Sequence, residues 1–387
     1  MIPIYKPFLN KKTLRHAHDA LDSTWISSHG KYLNILKDKL LDISGQKYVI
    51  LTNNGTTATH LISIGLKYKN PDISNIIVPN NVYIAAWNTF KMNPIYNLIP
   101  VDCNLKTWNY DEEELFKTIQ SNRRDNLKDV RSDLDHKVYK HKDTAILIVH
   151  NVGNIINVPK LKKEYPNYLF VEDNCEGFLG SYNDVPSGSE SLMSSVSFFG
   201  NKTITAGEGG ALFTNDCDIF EHLNSVRAQG NTSEKFKFDK LGYNYRMTNI
   251  QAAILVGQLE SLDEILEMKN NVSLEYQKNL TQIDGIEFQS IEKGTKHSNW
   301  MVGIRFTNFT HEKLNNLMLF LYTNDIETRP MFPPITEHTH YKNIVTKIDN
   351  AKKIYDQTLI LPSYPELTKG QINYICDKIK EFLKLNK

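Results

Sequence analysis

Seven short runs of β-branched and other apolar residues punctuate the first 215 positions, at 48–52, 76–79, 98–102, 145–150, 168–172, 195–199 and 210–214. Most lack period-two alternation, so neither face of such a strand is written for water, as expected where a sheet is covered on both sides. Each run ends in a polar or glycine-containing loop, and several are followed by a helical pattern. This rhythm predicts an α/β fold with a mostly parallel seven-stranded sheet flanked by helices. The 387 residues exceed what one core usually serves. A large domain over 1–258 and a smaller C-terminal α/β domain over 259–387 are therefore expected.

Two helix starts are written into the sequence. Thr248-Asn249-Ile250-Gln251 has the spacing of a capping box, and Ile250, Ile254, Leu255, Leu259, Leu262 and Leu266 continue as one apolar stripe. The reading is one long helix from about 249, with the domain boundary inside it near 255–265. Thr368-Lys369-Gly370-Gln371 repeats the spacing ahead of Ile372, Ile375, Ile379 and Phe382. Residues 120–143 are mostly polar and are expected to form a solvated insertion loop.

Three motifs carry chemistry. Asn53-Asn54-Gly55-Thr56-Thr57-Ala58 follows one apolar run and opens a helical pattern. Free N–H groups at a helix start suit a phosphate dianion, although an ordinary glycine turn capped by threonine would look the same. Glu172-Asp173-Asn174-Cys175-Glu176 gathers three acids at a strand end, which is costly unless they meet a cation. A pyridinium nitrogen would serve; a salt-bridged pair of acids or a metal is the alternative. Ser197-Phe198-Phe199-Gly200-Asn201-Lys202 leads into the glycine-flanked stretch up to Gly210. A lysine just past an apolar strand is placed to lose solvent and act as a neutral amine, and a serine five residues earlier can meet the same ligand's phosphate. The glycines do not fit a dinucleotide-binding pattern, which counts against a nicotinamide-dependent dehydrogenase.

Charge narrows the partners. The formal net charge is +1 and the pI about 7.7, which gives neither nucleic acid nor an anionic membrane a strong field to bind. Anion binding must be local. The four cysteines are far apart and form no zinc or disulfide pattern, and His338-Thr339-His340 reads as incidental rather than as a metal site. No run of about 18 uncharged apolar residues occurs and the N-terminus shows no signal-peptide stretch, so a cytoplasmic enzyme is expected.

Taken together, these residues resemble the DegT/DnrJ/StrS-type sugar aminotransferases, which are fold-type-I pyridoxal-phosphate enzymes. The likeness runs along nearly the whole chain. It includes Trp25-Ile26-Ser27-Ser28 with Gly30-Lys31-Tyr32, the Asn54–Ala58 turn, Val78-Pro79 before Tyr83-Ile84-Ala85, Val149-His150-Asn151-Val152-Gly153, Glu172-Asp173 with Glu176, the stretch from Ser197 to Gly210, and Gly242-Tyr243-Asn244-Tyr245-Arg246-Met247 before Gln251-Ala252-Ala253.

The resemblance implies specific roles. Lys202 would be the Schiff-base lysine and proton carrier, and Asp173 the partner of the pyridinium nitrogen. Thr56, Thr57 and Ser197 would hold the phosphate, with Asn244 reaching it from the neighbouring subunit of a homodimer. Tyr83 would stack on the ring, and Glu176 would lie near its phenolic edge. Trp25, Ser27, His150 and Arg329 are candidate substrate contacts; for His150 a structural hydrogen bond, and for Arg329 a surface ion pair, are equal alternatives. Pyridoxal 5′-phosphate would be the cofactor, alternating with pyridoxamine phosphate.

Glutamate would be the donor and a nucleotide-linked keto sugar the acceptor, with greatest likeness to enzymes making 4-amino-4,6-dideoxy sugars. A 3-aminotransferase, a dehydratase of the same fold and a non-catalytic sugar-nucleotide sensor are the other readings. The dehydratases replace the lysine by histidine, so Lys202 argues against that one. Val82, the length of 120–143, and a Pro330–Thr336 stretch without histidine depart from the family pattern.

Overall fold

The computed structural model describes residues 1–127 and 143–385. All seven apolar runs are strands, with ends shifted by no more than two residues. β1 (Tyr48–Thr52), β2 (Asn75–Pro79), β3 (Asn97–Val101), β4 (Thr144–Val149), β5 (Leu169–Asp173), β6 (Met193–Ser197) and β7 (Gly210–Thr214) form one sheet, ordered β1-β7-β6-β5-β4-β2-β3. Only β7 is antiparallel to its neighbours; the other six strands point one way. Every residue of β4, β6 and β7 is buried, which is why their sequences do not alternate.

One face of the sheet packs on helix α1 (Gly55–Lys69) through Ala58, Leu61, Ile62 and Leu66. The other face meets Leu36, Leu40, Ala252, Leu255 and Val256. Because β1, β4, β5 and β6 are parallel, their C-terminal ends at Thr52, Val149, Asp173 and Ser197 open on one edge of the sheet. Ligands of open α/β sheets bind in such a crevice.

Thr248 caps helix α2 (Asn249–Leu259), and the full capping box with Gln251 is present. The single long helix expected from 249 is instead two helices, for α3 (Leu262–Leu280) begins after a break at Glu260-Ser261. The cause lies outside the stripe. Thr13 lies against Gly257, whose Cβ, were there one, would sit 2.4 Å from the Thr13 Cα. Ser261 Oγ accepts a hydrogen bond from Asn10 Nδ2 at 2.6 Å.

Beyond this break a second, antiparallel sheet forms from β8 (Ile286–Phe288), β9 (Val302–Phe306), β10 (Arg329–Pro330) and β11 (Thr358–Leu361), ordered β8-β9-β11-β10. It has its own core with α3 and α4 (Lys369–Leu385), built on Tyr276, Ile304, Leu359, Ile375 and Ile379. The Thr368–Gln371 capping box is also formed. The segment expected as an insertion loop begins inside helix Glu112–Leu127 and ends at a turn at Asp143, and 128–142 lie outside the described residues. Among the described residues, no helix is long and apolar enough to cross a membrane.

Candidate active site

A cavity of about 350 Å³ opens at the sheet edge where β1, β4, β5 and β6 end. Its lining brings together Thr56, Tyr83, Asp173, Glu176, Ser197, Lys202 and Arg329, residues drawn from five separate stretches of sequence.

On one side is the start of α1. Asn54 caps it by accepting from Thr57 N–H at 2.9 Å, and the Thr57 hydroxyl donates to Asn53 Oδ1 at 2.7 Å. Thr57 therefore spends its donors inside the cap, contrary to its expected place in the anion site. The N–H groups of Gly55 and Thr56 are left at the helix end, where the dipole favours an anion. Gly55 is required there: a Cβ would lie 2.5 Å from Ser197 Cβ and 2.9 Å from its Oγ. The glycine thus lets the Ser197 hydroxyl come up against the helix start, making one cup from two distant motifs.

Asp173 forms the floor. It ends β5, is 7 % exposed, and one carboxylate oxygen accepts from Cys175 N–H at 3.1 Å. Lys202 enters from a loop closed on itself: its N–H donates to Phe199 O at 2.9 Å, while Thr205 Oγ1 donates to Phe198 O at 2.9 Å and accepts from Gly207 N–H at 2.9 Å. The Lys202 ammonium nitrogen lies 3.9 Å from the centroid of the Trp300 ring.

Glu176 is buried and accepts from Val152 N–H at 2.7 Å. Burial pushes its carboxyl up to about 7, against the pull of Lys202 and the Val152 N–H, so near neutrality it holds or gives a proton readily. Val152 is itself strained, a β-branched residue at φ 58°, held by an Asn151 side chain that donates to Asn81 O and Trp108 O. Tyr83 and Phe332 face each other at 5.8 Å at the mouth, and Arg329 stands there 3.5 Å from Glu327.

Besides Thr57, four sequence candidates do not line this cavity. His150 is fully buried, with Nε2 2.7 Å from Glu172 Oε2 and Nδ1 accepting from Ile156 N–H at 3.1 Å. Both ring nitrogens are engaged in hydrogen bonds within the protein, the structural one of its two expected roles. Trp25, Ser27 and Asn244 are exposed elsewhere. Asn249 ties the first two to α2, donating from its main chain to Ser27 O and from its side chain to Trp25 O, both at 2.6 Å. Sequence reasoning missed Trp300 and Tyr5, whose hydroxyl donates to Lys202 O at 2.8 Å. Neither lies in a motif, and each is about a hundred or more residues from Lys202, so no local signal announces them.

Comparison with known proteins gives the chain's family and fold relatives. The pattern of the DegT/DnrJ/EryC1/StrS aminotransferase family matches residues 7–380. A GDP-perosamine synthase of Escherichia coli O157:H7 is 33% identical over 98% of this chain and 98% of its own length. A GDP-perosamine synthase of Vibrio cholerae is 31% identical over 99% of each. Helicobacter pylori PseC, an aminotransferase involved in the biosynthesis of pseudoaminic acid, superposes with a TM-score of 0.86 over 99% of both chains at 20% identity, a likeness of fold.

Proposed function

The chain belongs to the DegT/DnrJ/EryC1/StrS aminotransferase family, and from that premise we propose that it moves the amino group of glutamate onto the C4 ketone of a GDP-linked 4-keto-6-deoxyhexose. The product is a 4-amino-4,6-dideoxy sugar nucleotide. The observation that carries the chemistry is the meeting of Lys202, Asp173, Ser197 and the α1 start in one cavity. The choice of sugar is supported by two relatives named GDP-perosamine synthase that match over nearly their full length.

Pyridoxal 5′-phosphate is the cofactor, and the residues fit it. The cup that a Cβ on Gly55 would fill would take the phosphate, Asp173 would partner a protonated ring nitrogen, and the Lys202 amine is within the same cavity. When bound, pyridoxal phosphate supplies an electron sink and carries the amino group from donor to ketone.

The chain does the rest. Gly55 and Thr56 N–H with Ser197 Oγ would hold the dianion; the Asp173 carboxylate would keep positive charge on the ring; Tyr83 would cover a ring face. Lys202 Nζ takes the proton from the donor carbon and returns one to the sugar carbon. Glu176, raised to about 7 by burial, would be placed to exchange a proton at the phenolic edge.

Asn244 is exposed outside this cavity, and so are Trp25 and Ser27, which Asn249 ties to α2. A homodimer in which Asn244 reaches the partner's phosphate accounts for that position. The division into 1–258 and 259–387 is supported by the separate cores and by the helix break at 260–261. A cytoplasmic location is in keeping with four unpaired cysteines.

The test is direct. The purified chain, glutamate and a panel of 4-keto-6-deoxy sugar nucleotides are combined, and products are read by mass and NMR. The GDP-linked sugar should gain an amine at C4; amination at C3, or no reaction with any sugar, would overturn the proposal. Borohydride should fix the cofactor to the peptide containing Lys202, and Lys202→Ala should abolish turnover while keeping the fold.

A further inference from the structure

Behind Lys202 lies a second lysine that the proposed chemistry does not use. Lys269, on α3, is 1 % exposed. Its ammonium donates to Trp300 O at 2.7 Å and to Ser363 O, and lies 5.1 Å from the centroid of the Tyr5 ring. Burial alone pushes this amine down to about 7, and among the described residues no carboxylate pairs with it. Such a group is expensive to keep in a core where methionine would pack.

What it touches explains its place. Trp300 Nε1 donates to Asn201 O at 2.9 Å, and the indole face carries the Lys202 ammonium at 3.9 Å. Tyr5 OH donates to Lys202 O at 2.8 Å. The main chain is thus pinned at Asn201 and Lys202 by the two aromatic residues that Lys269 contacts, while the Lys202 side chain rests on one of them. An aromatic face favours the charged amine without accepting its proton, as a carboxylate would. It can hold Lys202 in position while the amine carries a proton between two carbons.

We propose that the Trp300 ring is the seat of the Lys202 ammonium, and that Lys269 is a positioning residue that fixes this seat by anchoring Trp300 and Tyr5. The proposal rests on Lys202 being the proton carrier of the transamination. Besides these residues, the titratable groups facing Lys202 across the cavity are Asp173, Cys175, Glu176, Tyr83, Glu208 and Arg329, and all stay unchanged in the variants below.

The experiment uses the full-length chain stripped of cofactor and labelled by an amine-reactive reagent across a pH series. Peptide mass spectrometry reads the midpoint at Lys202 separately from other lysines. Trp300→Leu should lower that midpoint by about one pH unit, and Trp300→Phe should restore most of it. Lys269→Met should also lower it, whereas removal of a neighbouring positive charge alone would raise it.

Growing the unaltered chain on fluorinated tryptophan weakens the ring's negative face with little change of shape, and should lower the midpoint too. That arm decides the matter if the Leu variant does not fold. An unchanged midpoint in folded Trp300→Leu or in the fluorinated chain, or a rise in Lys269→Met, overturns the proposal. The readout needs no sugar nucleotide, so failure of the proposed reaction and failure of this inference are separately visible.

Discussion

Glu176 is a carboxyl folded where its charge is poorly solvated. In the unfolded chain it titrates near 4.5; in the folded chain burial raises this to about 7. Between those values the folded state binds the extra proton, so this group lowers stability as pH rises through the window, by an amount on the order of 3 kcal/mol above it. Glu176→Gln keeps an acceptor for the Val152 N–H and removes the titration. The variant should match the cofactor-free wild type in urea unfolding near pH 4.5 and exceed it above pH 7; parallel stability curves would show the burial cost to be compensated elsewhere. At this scale the sequence was partly legible. Asp173, Ser197 and Lys202 stand in motifs, and all three reach the cavity. His150 stands in a motif as well, but whether an imidazole at a strand end faces ligand or core depends on Glu172, and local sequence does not record that pairing.

At the scale of elements, the start of α1 is where sequence and site meet most closely. Gly55→Ala places a methyl group against the Cβ and Oγ of Ser197, so either the helix start or the serine must shift. Overpacking of this kind costs about 1–3 kcal/mol. Because the shift falls in the phosphate cup, cofactor affinity should drop roughly tenfold or more, an equivalent of at least ~1.4 kcal/mol, measured by spectroscopic titration. Thr248→Ala is the contrast: loss of the cap at α2 should cost about 1 kcal/mol in thermal unfolding and leave cofactor affinity unchanged. The seven strands were legible because strands covered on both faces, as β4 and β7 are throughout, write apolar runs without alternation. The second sheet was not. β8 has three residues and β10 two, too short for any period to emerge, and β10 includes a proline. The break before α3 was hidden for another reason, since the apolar stripe runs through it and the cause is a crossing at Gly257 and Ser261.

At the scale of the whole molecule, the first residues of the chain join the two sheets' cores at the active site. Ile2 donates to Asp325 O at 2.6 Å and accepts from Glu327 N–H at 2.9 Å; Ile4 N–H donates to Glu327 Oε2 at 3.0 Å, and Ile4 O accepts from Ser363 N–H at 3.2 Å. One step further, Tyr5 grips the main chain at Lys202. Ile4 also lines the cavity with Met301, Met331 and Ile360, all from the C-terminal half. A strand-like segment paired to one half and bonded to the lysine loop of the other transmits order between them. A chain lacking residues 1–5 should keep its large sheet, which draws nothing from this segment, yet lose restraint on the loop. Hydrogen exchange of the peptide spanning 198–206 should then accelerate while that of the β4 and β5 peptides stays at the wild-type rate. Turnover should fall in proportion to the loosened loop, because proton transfer by Lys202 depends on where its nitrogen is held. Unchanged exchange at 198–206 would mean that the loop's own bonds from Phe198 to Thr205 and Ala206 suffice, and that the grip of Tyr5 adds nothing to them.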